Sequence, residues 1–99
     1  MIVRPFYRDD LPAILAIQER CPEAAHWKEA EYEHLANARS GMILVAELAT
    51  MDPPKVLGFA AFHQVIDEAE LRNIAVDPDH RAQGVGKALL EEARQRLLR

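Results

Sequence analysis

Residues 71–87 read LRNIAVDPDHRAQGVGK, and this stretch decides the fold. Its first six residues form a mostly apolar run of the kind found in strands, and the run stops at the turn-forming pair Asp77-Pro78. From Gly84 onward the apolar residues instead recur at helical spacing, at Val85, Ala88, Leu89, Ala93 and Leu97. The stretch therefore predicts a strand, a tight turn with two glycines, and an amphipathic helix.

The start of this helix lacks a carboxylate where helices usually carry one. Gly84 and Gly86 remove two Cβ atoms there, so backbone N–H groups can point at a ligand, and Arg81 and Lys87 add positive charge. This pattern indicates an anion site. Taken alone, the two glycines fit equally well a simple turn that binds nothing.

Two common phosphate-binding motifs do not match these glycines. A Walker-type loop requires Gly-x-x-x-x-Gly-Lys-Ser/Thr, and Lys87 is followed by Ala88. A dinucleotide fingerprint requires a third glycine at position 89, where the chain has leucine. The sequence therefore excludes both classes of nucleotide site.

The rest of the chain predicts three more strands and two more helices. Strands are expected at residues 2–4, 42–46 and 56–66, and the last forms hairpins with its neighbours on both sides through turn-forming residues, including Asp67-Glu68. A helix with an acidic N-cap should follow Asp10 and stop at Cys21-Pro22, and a second, mostly polar helix should span residues 27–38. Trp27 and Tyr32 are expected to be packing aromatics.

Length and charge exclude several other classes of protein. A chain of 99 residues is one domain, and its longest apolar run, residues 56–62, is far too short to cross a bilayer. The net charge of −4 disfavours nucleic acid and anionic membranes as partners. Residues 1–70 hold 6 basic and 12 acidic side chains, whereas residues 71–99 hold 6 and 4, so the C-terminal part is the one suited to an anion.

Cysteine and histidine give no sign of a metal or nucleophile site. Cys21 stands alone, which rules out an internal disulfide and suits a reducing, cytoplasmic location. The four histidines, His26, His34, His63 and His80, have no metal-ligand spacing and are expected to be packed or exposed. We therefore expect no metal, and no catalytic role for Cys21.

The motif Arg-x-x-Gly-x-Gly after the strand LRNIAV and Asp-Pro resembles the acetyl-CoA signature of the GNAT N-acetyltransferases. Nearly the whole chain is similar to the bacterial ribosomal-protein N-terminal alanine acetyltransferases of that family. The resemblance implies an α/β domain over residues 1–99 with the mixed sheet of the GNAT acyltransferase fold. It also implies an acetyl-CoA site formed by the strand residues Ile74, Ala75 and Val76 and the turn residues Arg81, Ala82, Gln83, Gly84, Val85, Gly86 and Lys87.

The same resemblance implies an amine acceptor, possibly a protein N-terminus, that attacks the thioester directly. Glu70 occupies the place where histone-type members carry a general base, and it is the candidate catalytic residue; a solvent-facing glutamate at a strand start is the equal alternative. The region around Trp27 is expected to border the peptide groove.

Residue 99 corresponds to the end of the cofactor helix in the family pattern. The chain is therefore expected to be the N-terminal half of such a domain, with an unpaired edge on the strand at residues 69–76 that favours a homodimer or strand exchange. Two other functions stay open: a non-catalytic CoA-binding or dimerising module, and a small interaction domain in which the glycines only make a turn.

Overall fold

A computed structural model describes residues 1–97 as a four-stranded sheet covered by helices on both faces. The strands are β1 (Ile2–Pro5), β2 (Gly41–Leu48), β3 (Lys55–Val65) and β4 (Glu68–Val76), and the helices are α1 (Leu11–Glu19), α2 (Glu29–Asn37) and α3 (Val85–Leu97). Short 3-10 turns at Arg8–Asp10 and Pro78–His80 precede α1 and α3. No helix within residues 1–97 is long and apolar enough to cross a membrane.

The sheet has the order β1-β2-β3-β4, and every described pairing is antiparallel. The predicted succession of three antiparallel strands is confirmed. Within the described residues β4 pairs only with β3, so its outer edge carries no further strand, as the sequence predicted. The free edge includes Ile74, Ala75 and Val76. The carbonyl oxygen of Val76 already accepts a hydrogen bond from the thiol of Cys21 at 3.4 Å.

The turn between β3 and β4 lies one residue earlier than the sequence predicted. Ile66 and Asp67 form it, Val65 pairs with Glu68, and the predicted turn at Asp67-Glu68 is wrong. This register keeps Phe62 opposite Leu71 and requires Ile66 to adopt a φ of +54°, which a β-branched residue rarely does. The strand pairing thus decides the position of the turn against the local preference of the residues.

Two apolar clusters hold the helices to the sheet. On one face, α1 and α2 bury side chains such as Ile14 and Tyr32 against Phe59. On the other face, α3 buries Val85, Leu89 and Ala93, and these are three of the five positions whose helical spacing predicted the apolar face of this helix. The sheet is therefore the middle layer of three, and within residues 1–97 α3 is the one helix on its second face.

A buried hydrogen-bond network joins α1, α2 and β4. Tyr32 donates its hydroxyl hydrogen to the side-chain oxygen of Gln18 and accepts a hydrogen bond from the side-chain amide of Asn73, 2.9 Å away. Burial raises the pKa of Tyr32 to about 12, so the hydroxyl stays neutral and keeps donating. Asn73 also holds the backbone of Ala25, which fixes the connection between α1 and α2 against β4. Tyr32 also packs against the rings of Trp27 and Phe59. The expected packing role of Trp27 and Tyr32 is therefore confirmed.

Asp10 precedes α1 as predicted, but its carboxylate does not cap that helix. It accepts hydrogen bonds from the backbone N–H of Tyr7 at 2.7 Å and from the guanidinium of Arg4 at 2.8 and 2.9 Å. Because Arg4 also reaches Glu47 on β2, this buried carboxylate ties the start of α1 to the sheet. A charged partner on another element has thus replaced the local cap.

Gly58 on β3 lets α3 and β4 come close to each other. A Cβ atom at this position would lie 2.9 Å from the carbonyl oxygen of Ala75 and 3.1 Å from Cγ1 of Val85. The first contact is with backbone, which cannot move aside without shifting β4. Glycine is therefore required here because of a close approach, and the start of α3 sits beside the C-terminal end of β4 for that reason.

We expect Gly58→Ala to destabilise the protein by about 1–3 kcal/mol, because the new methyl group overpacks the contact between β3, β4 and α3. Urea unfolding followed by circular dichroism measures the change. Gly86→Ala is the matched control, since its Cβ would meet only Cγ2 of Val76 at 3.8 Å. Equal stability of the two variants would contradict the close approach.

Candidate active site

The turn between β4 and α3 is fixed by the carboxylate of Asp77. This buried side chain accepts a hydrogen bond from the backbone N–H of Asp79 at 2.9 Å and another from Arg20, at the end of α1, at 3.0 Å. Pro78 follows and favours the first position of a helical turn. The Asp-Pro pair thus begins the 3-10 turn at Pro78–His80 and anchors it to α1.

The chain then reverses through two residues in the left-handed region. Ala82 has a φ of +62° and Gly84 a φ of +82°, and α3 begins immediately afterwards. Nothing lies within 4 Å of the place where a Cβ of Gly84 would be, so its glycine is needed for conformation and not for space. Ala82 has no such freedom, so its left-handed backbone is strained, and the rest of the turn must hold it in this conformation.

A groove of about 430 Å³ runs between the free edge of β4 and the start of α3. Two of its lining residues, Glu23 and His80, were not suggested by the sequence. The others are all the predicted cofactor residues except Gln83: Ile74, Ala75, Val76, Arg81, Ala82, Gly84, Val85, Gly86 and Lys87. Gln83 instead points at His80, with its Oε1 atom 3.3 Å from Nδ1 of that ring. The predicted residues therefore come together in one place.

The helix end that faces this groove is electropositive. Its first i to i−4 hydrogen bond is the one from the N–H of Ala88 to the carbonyl of Gly84 at 2.9 Å, so the N–H groups of residues 85–87 have no partner within the helix. No acidic residue lies in the first turn of this 13-residue helix. The orphan N–H groups and the helix dipole together suit an anion, and a bare phosphate chain has the right charge.

Arg81 at the mouth of the groove already has an anionic neighbour. Its Nη2 atom lies 2.5 Å from Oε1 of Glu23 and 3.3 Å from the sulfur of Cys21. A hydrogen bond from its own backbone N–H, followed by the charge of Arg81, lowers the pKa of Glu23, so this carboxylate is charged at neutral pH. Both side chains are about half exposed, and exposed ion pairs of this kind are weak and exchangeable.

The sequence did not predict the contact of Glu23 with Arg81, because the two residues are 58 positions apart in the chain. The Cys21-Pro22 stop of α1 was visible, but the direction in which the connection to α2 leads is set by the hydrogen bonds between Asn73 and Ala25. No local pattern carries that information. The contact is a product of tertiary structure.

Glu70, the candidate base, lies outside this groove. It sits near the start of β4 with a side chain 58% exposed, and its Oε1 atom is 3.7 Å from Nη1 of Arg72 and 3.9 Å from Nδ1 of His63. A bulge in β4 separates it from the cofactor residues: Leu71 pairs with Phe62 and Asn73 with Ala61, so Arg72 is the extra residue.

The bulge brings Arg72 to a second groove, of about 410 Å³, between α2 and the ends of β3 and β4. Trp27 and His63 line it as well. The sequence placed Trp27 near such a groove only through the family resemblance, and it assigned His63 no role. In the pairing of β3 with β4, His63 lies directly opposite Glu70. Aligning the two predicted strands as a hairpin could have placed His63 beside the candidate base.

Comparison with known proteins identifies the class to which this fold and groove belong. The model of the acetyltransferase (GNAT) family matches residues 4–99, and the chain belongs to this family. Members of the family use acetyl-CoA as the acyl donor. The α/β fold that the sequence predicted is thereby confirmed, and every described strand pairing in this part of it is antiparallel.

Among individual relatives, the chain is similar to the ribosomal protein bS18-alanine N-acetyltransferase of Escherichia coli K12. The two are 42% identical over 82 residues, which are 83% of this chain and 51% of that enzyme, so the chain spans about half the length of the curated relative. The crystal structure of the Escherichia coli ribosomal-protein-S18-alanine N-acetyltransferase superposes with a TM-score of 0.78 at 33% identity, over 97% of this chain and 58% of that one.

A second solved structure is that of Rv2747 from Mycobacterium tuberculosis, determined in complex with CoA and NLQ. It superposes with a TM-score of 0.82 at 25% identity and covers 98% of this chain and 57% of that one. The resemblance that the sequence motif indicated is thus confirmed at the level of the family and of these relatives.

The backbone of the turn can be tested through its two left-handed residues. Gly84→Ala should lower the free energy of unfolding by about 1 kcal/mol, because the new Cβ is unfavourable at positive φ although nothing obstructs it. Ala82→Gly should act in the opposite direction, by about 0.5 kcal/mol, since relief of strain outweighs the added flexibility of the unfolded chain. Urea unfolding of both variants measures the two changes in the free energy of unfolding. Changes of the same sign would contradict the left-handed conformations of Ala82 and Gly84.

Proposed function

We propose that the chain is the acetyl-CoA-binding part of an N-acetyltransferase that acts on a primary amine. One observation carries the proposal: a single groove joins a free strand edge to a helix start without acidic residues. A strand edge offers hydrogen bonds to the amides of pantetheine, and a helix start offers them to phosphate. CoA contains both chemical groups in sequence, so one extended molecule matches both halves of the groove.

In the proposed complex the pyrophosphate lies on the backbone N–H groups of residues 82–87, with Arg81 and Lys87 supplying positive charge. The pantetheine arm runs along Ile74, Ala75 and Val76 in the manner of an added strand. Val85 and Val76 give the groove apolar walls, as both also pack in the cluster on the α3 side of the sheet. Gln83 contributes only its backbone N–H to this set, because its side chain points at His80 and does not line the groove.

For the acceptor we propose a protein N-terminal amine, because the Escherichia coli relative is an alanine N-acetyltransferase of ribosomal protein bS18. The amine nitrogen would attack the thioester carbon, the C–N bond would form, and the C–S bond would break with release of CoA as a thiol. No cysteine or serine nucleophile is needed for this direct transfer. A ribosomal acceptor would also agree with the cytoplasmic location proposed from the lone cysteine.

Glu70 stays our proposal for a carboxylate that supports loss of the amine proton. Its side chain is 58% exposed, and its Oε1 atom lies 3.7 Å from Nη1 of Arg72, which compensates its charge. A CoA-binding module without catalysis is the competing proposal. It would be indicated by a chain that binds CoA and transfers no acetyl group.

A homodimer through the free edge of β4 stays a prediction. The same edge would hold pantetheine in the proposed complex, so the two uses exclude each other. Light scattering with and without CoA measures this directly, since CoA should shift a strand-exchanged dimer toward the monomer mass.

Gly86→Ala tests the groove without disturbing the fold. Its Cβ would project toward Cγ2 of Val76 at 3.8 Å, which is ordinary contact within the protein but narrows the space between α3 and β4. We expect CoA affinity, measured by calorimetry, to fall at least about tenfold, or about 1.4 kcal/mol. Gln95→Ala, on the exposed face of the same helix, is the control. An unchanged dissociation constant for Gly86→Ala would exclude the groove as the CoA site.

Glu23→Gln tests the charge at the mouth of the groove. The wild-type carboxylate both neutralises Arg81 and repels phosphate, so its removal should strengthen CoA binding by about two- to fivefold at low salt. The gain should shrink at high salt because exposed charges are screened. Glu19→Gln, also exposed and outside the groove, should change nothing. Weaker binding of Glu23→Gln would mean that the glutamate holds Arg81 in its binding position.

A further inference from the structure

The tip of the hairpin formed by β3 and β4 carries an isoleucine that the fold does not need. Ile66 is 88% exposed and packs in neither apolar cluster. Its φ of +54° is unfavourable for a β-branched residue, whereas glycine adopts it freely. The pairing of Phe62 with Leu71 requires this backbone conformation but not the isoleucine side chain. A strained position with an exposed apolar side chain points to a role outside the folded chain.

Ile66 lies at the end of an exposed surface that starts at the groove between α2 and the ends of β3 and β4, the α2-side groove. His63 lines this groove and pairs with Glu70, and two residues further along β3 Val65 pairs with Glu68. Side chains two residues apart in a strand share a face, so the second pair follows the first on the α2 side. Val65 is 41% exposed, so the helices of the described chain leave this end of the face open. We define the hairpin strip as Val65, Ile66, Asp67, Glu68 and Glu70.

The hairpin strip and the adjoining groove wall are acidic. Arg72 compensates Glu70 at 3.7 Å, and Arg94, which lies near the tip on the α3 side, is paired with Glu91 at 2.7 Å. Three exposed carboxylates are left without a basic partner among the described ion pairs: Glu31, Asp67 and Glu68. The strip therefore repels acidic chains and suits a segment that has an apolar side chain and several lysines or arginines.

An extended acceptor chain would reach the strip a few residues after its N-terminus. Ile74 lines the CoA groove, and β4 runs roughly 20 Å from there to Glu68 at about 3.3 Å per residue. An extended peptide covers this distance with about six residues. When the N-terminal amine lies beside the strand edge, the residues at about positions five to eight therefore lie on the strip.

We propose that the hairpin strip docks a basic segment of the acceptor protein, downstream of the N-terminal amine that receives the acetyl group. Ile66 and Val65 contact an apolar side chain of that segment, and the carboxylates pair with its lysines and arginines. The inference rests on the proposed function. It adds that the acceptor is a polypeptide with a basic stretch, because a small amine would leave the strip uncovered.

The test is the binding of peptides that carry fluorescein at their C-terminus, followed by fluorescence anisotropy. All of them begin with alanine. One has about twelve residues with leucine and lysine at about positions five to eight, a second has glutamate in place of the lysines, and a third ends at about position four. We expect the basic peptide to bind at least about tenfold more tightly than the other two. Equal affinities would overturn the proposal.

Ile66→Gly separates docking from folding. Its affinity for the basic peptide should fall about tenfold, because an apolar anchor is lost. Its resistance to urea should at least equal that of the wild type, because glycine removes the strain of the turn. Ile66→Val keeps a β-branched apolar side chain and should bind nearly as the wild type does. An unchanged affinity of Ile66→Gly would contradict the role of the tip, and so would an equal fractional loss with the short peptide.

Glu68→Gln tests the charge of the strip. The basic peptide should bind about two- to threefold more weakly at low salt, and the difference should shrink at high salt because exposed charges are screened. Glu19→Gln removes an exposed carboxylate outside both grooves and is the matched control. Equal effects of the two variants would show that only the net charge of the chain matters, and the strip would then not be the docking surface.

Calorimetry with CoA keeps this inference apart from the proposed function. Ile66 lies outside the CoA groove, so Ile66→Gly should bind CoA as the wild type does. A wild-type chain that binds CoA without preferring the basic peptide overturns the docking strip and leaves the CoA site standing. Failure to bind CoA defeats the proposed function and, with it, the acceptor role of the strip.

Light scattering tests the other occupant that an exposed apolar tip could have, a second copy of this chain. The proposal expects Ile66→Gly to leave the mass in solution unchanged. A dimer that this substitution dissociates, together with no preference for the basic peptide, would assign the strip to contacts between copies and overturn the proposal.

Discussion

The close approach of α3 to the sheet at Gly58 is the constraint on which the site depends. Only a residue without a Cβ fits here, because the carbonyl oxygen of Ala75 and the side chain of Val85 both lie about 3 Å from the place where a Cβ of Gly58 would be. That contact sets the start of α3 beside the free edge of β4, so the orphan N–H groups of the helix and the unpaired edge of the strand face one groove. Neither feature alone would hold a molecule with both phosphates and amides.

The turn between β4 and α3 connects these two features. It is stabilised by a contact with α1, and its own backbone contains two left-handed residues. Asp77 ties it to α1 through Arg20, while Ala82 and Gly84 hold left-handed conformations. The ion pair between Arg81 and Glu23 adds a weak, exposed contact that a phosphate can displace. Strain at such a turn is tolerated because the buried anchor and the helix packing fix both of its ends.

The bulge at Arg72 explains how one strand serves two grooves, one on the α2 side of the sheet and one at its free edge beside the start of α3. In a regular strand, residues 72, 74 and 76 would share a face. The extra residue breaks this alternation, so Arg72 lines the α2-side groove while Ile74 and Val76 pack on the α3 side.

The sequence by itself determined the strand at LRNIAV, the Asp-Pro turn and the acid-free start of α3, because each of these depends on neighbours within a few positions of the chain. The same locality explains its errors: the turn between β3 and β4 is set by the pairing of Phe62 with Leu71, and the partner of Asp10 is Arg4 on another element. Only the tertiary structure decided that Glu23 would meet Arg81 and that His63 would lie opposite Glu70. Contacts between distant segments depend on how the layers pack and on the register of the strands, and no short pattern of residues carries that information.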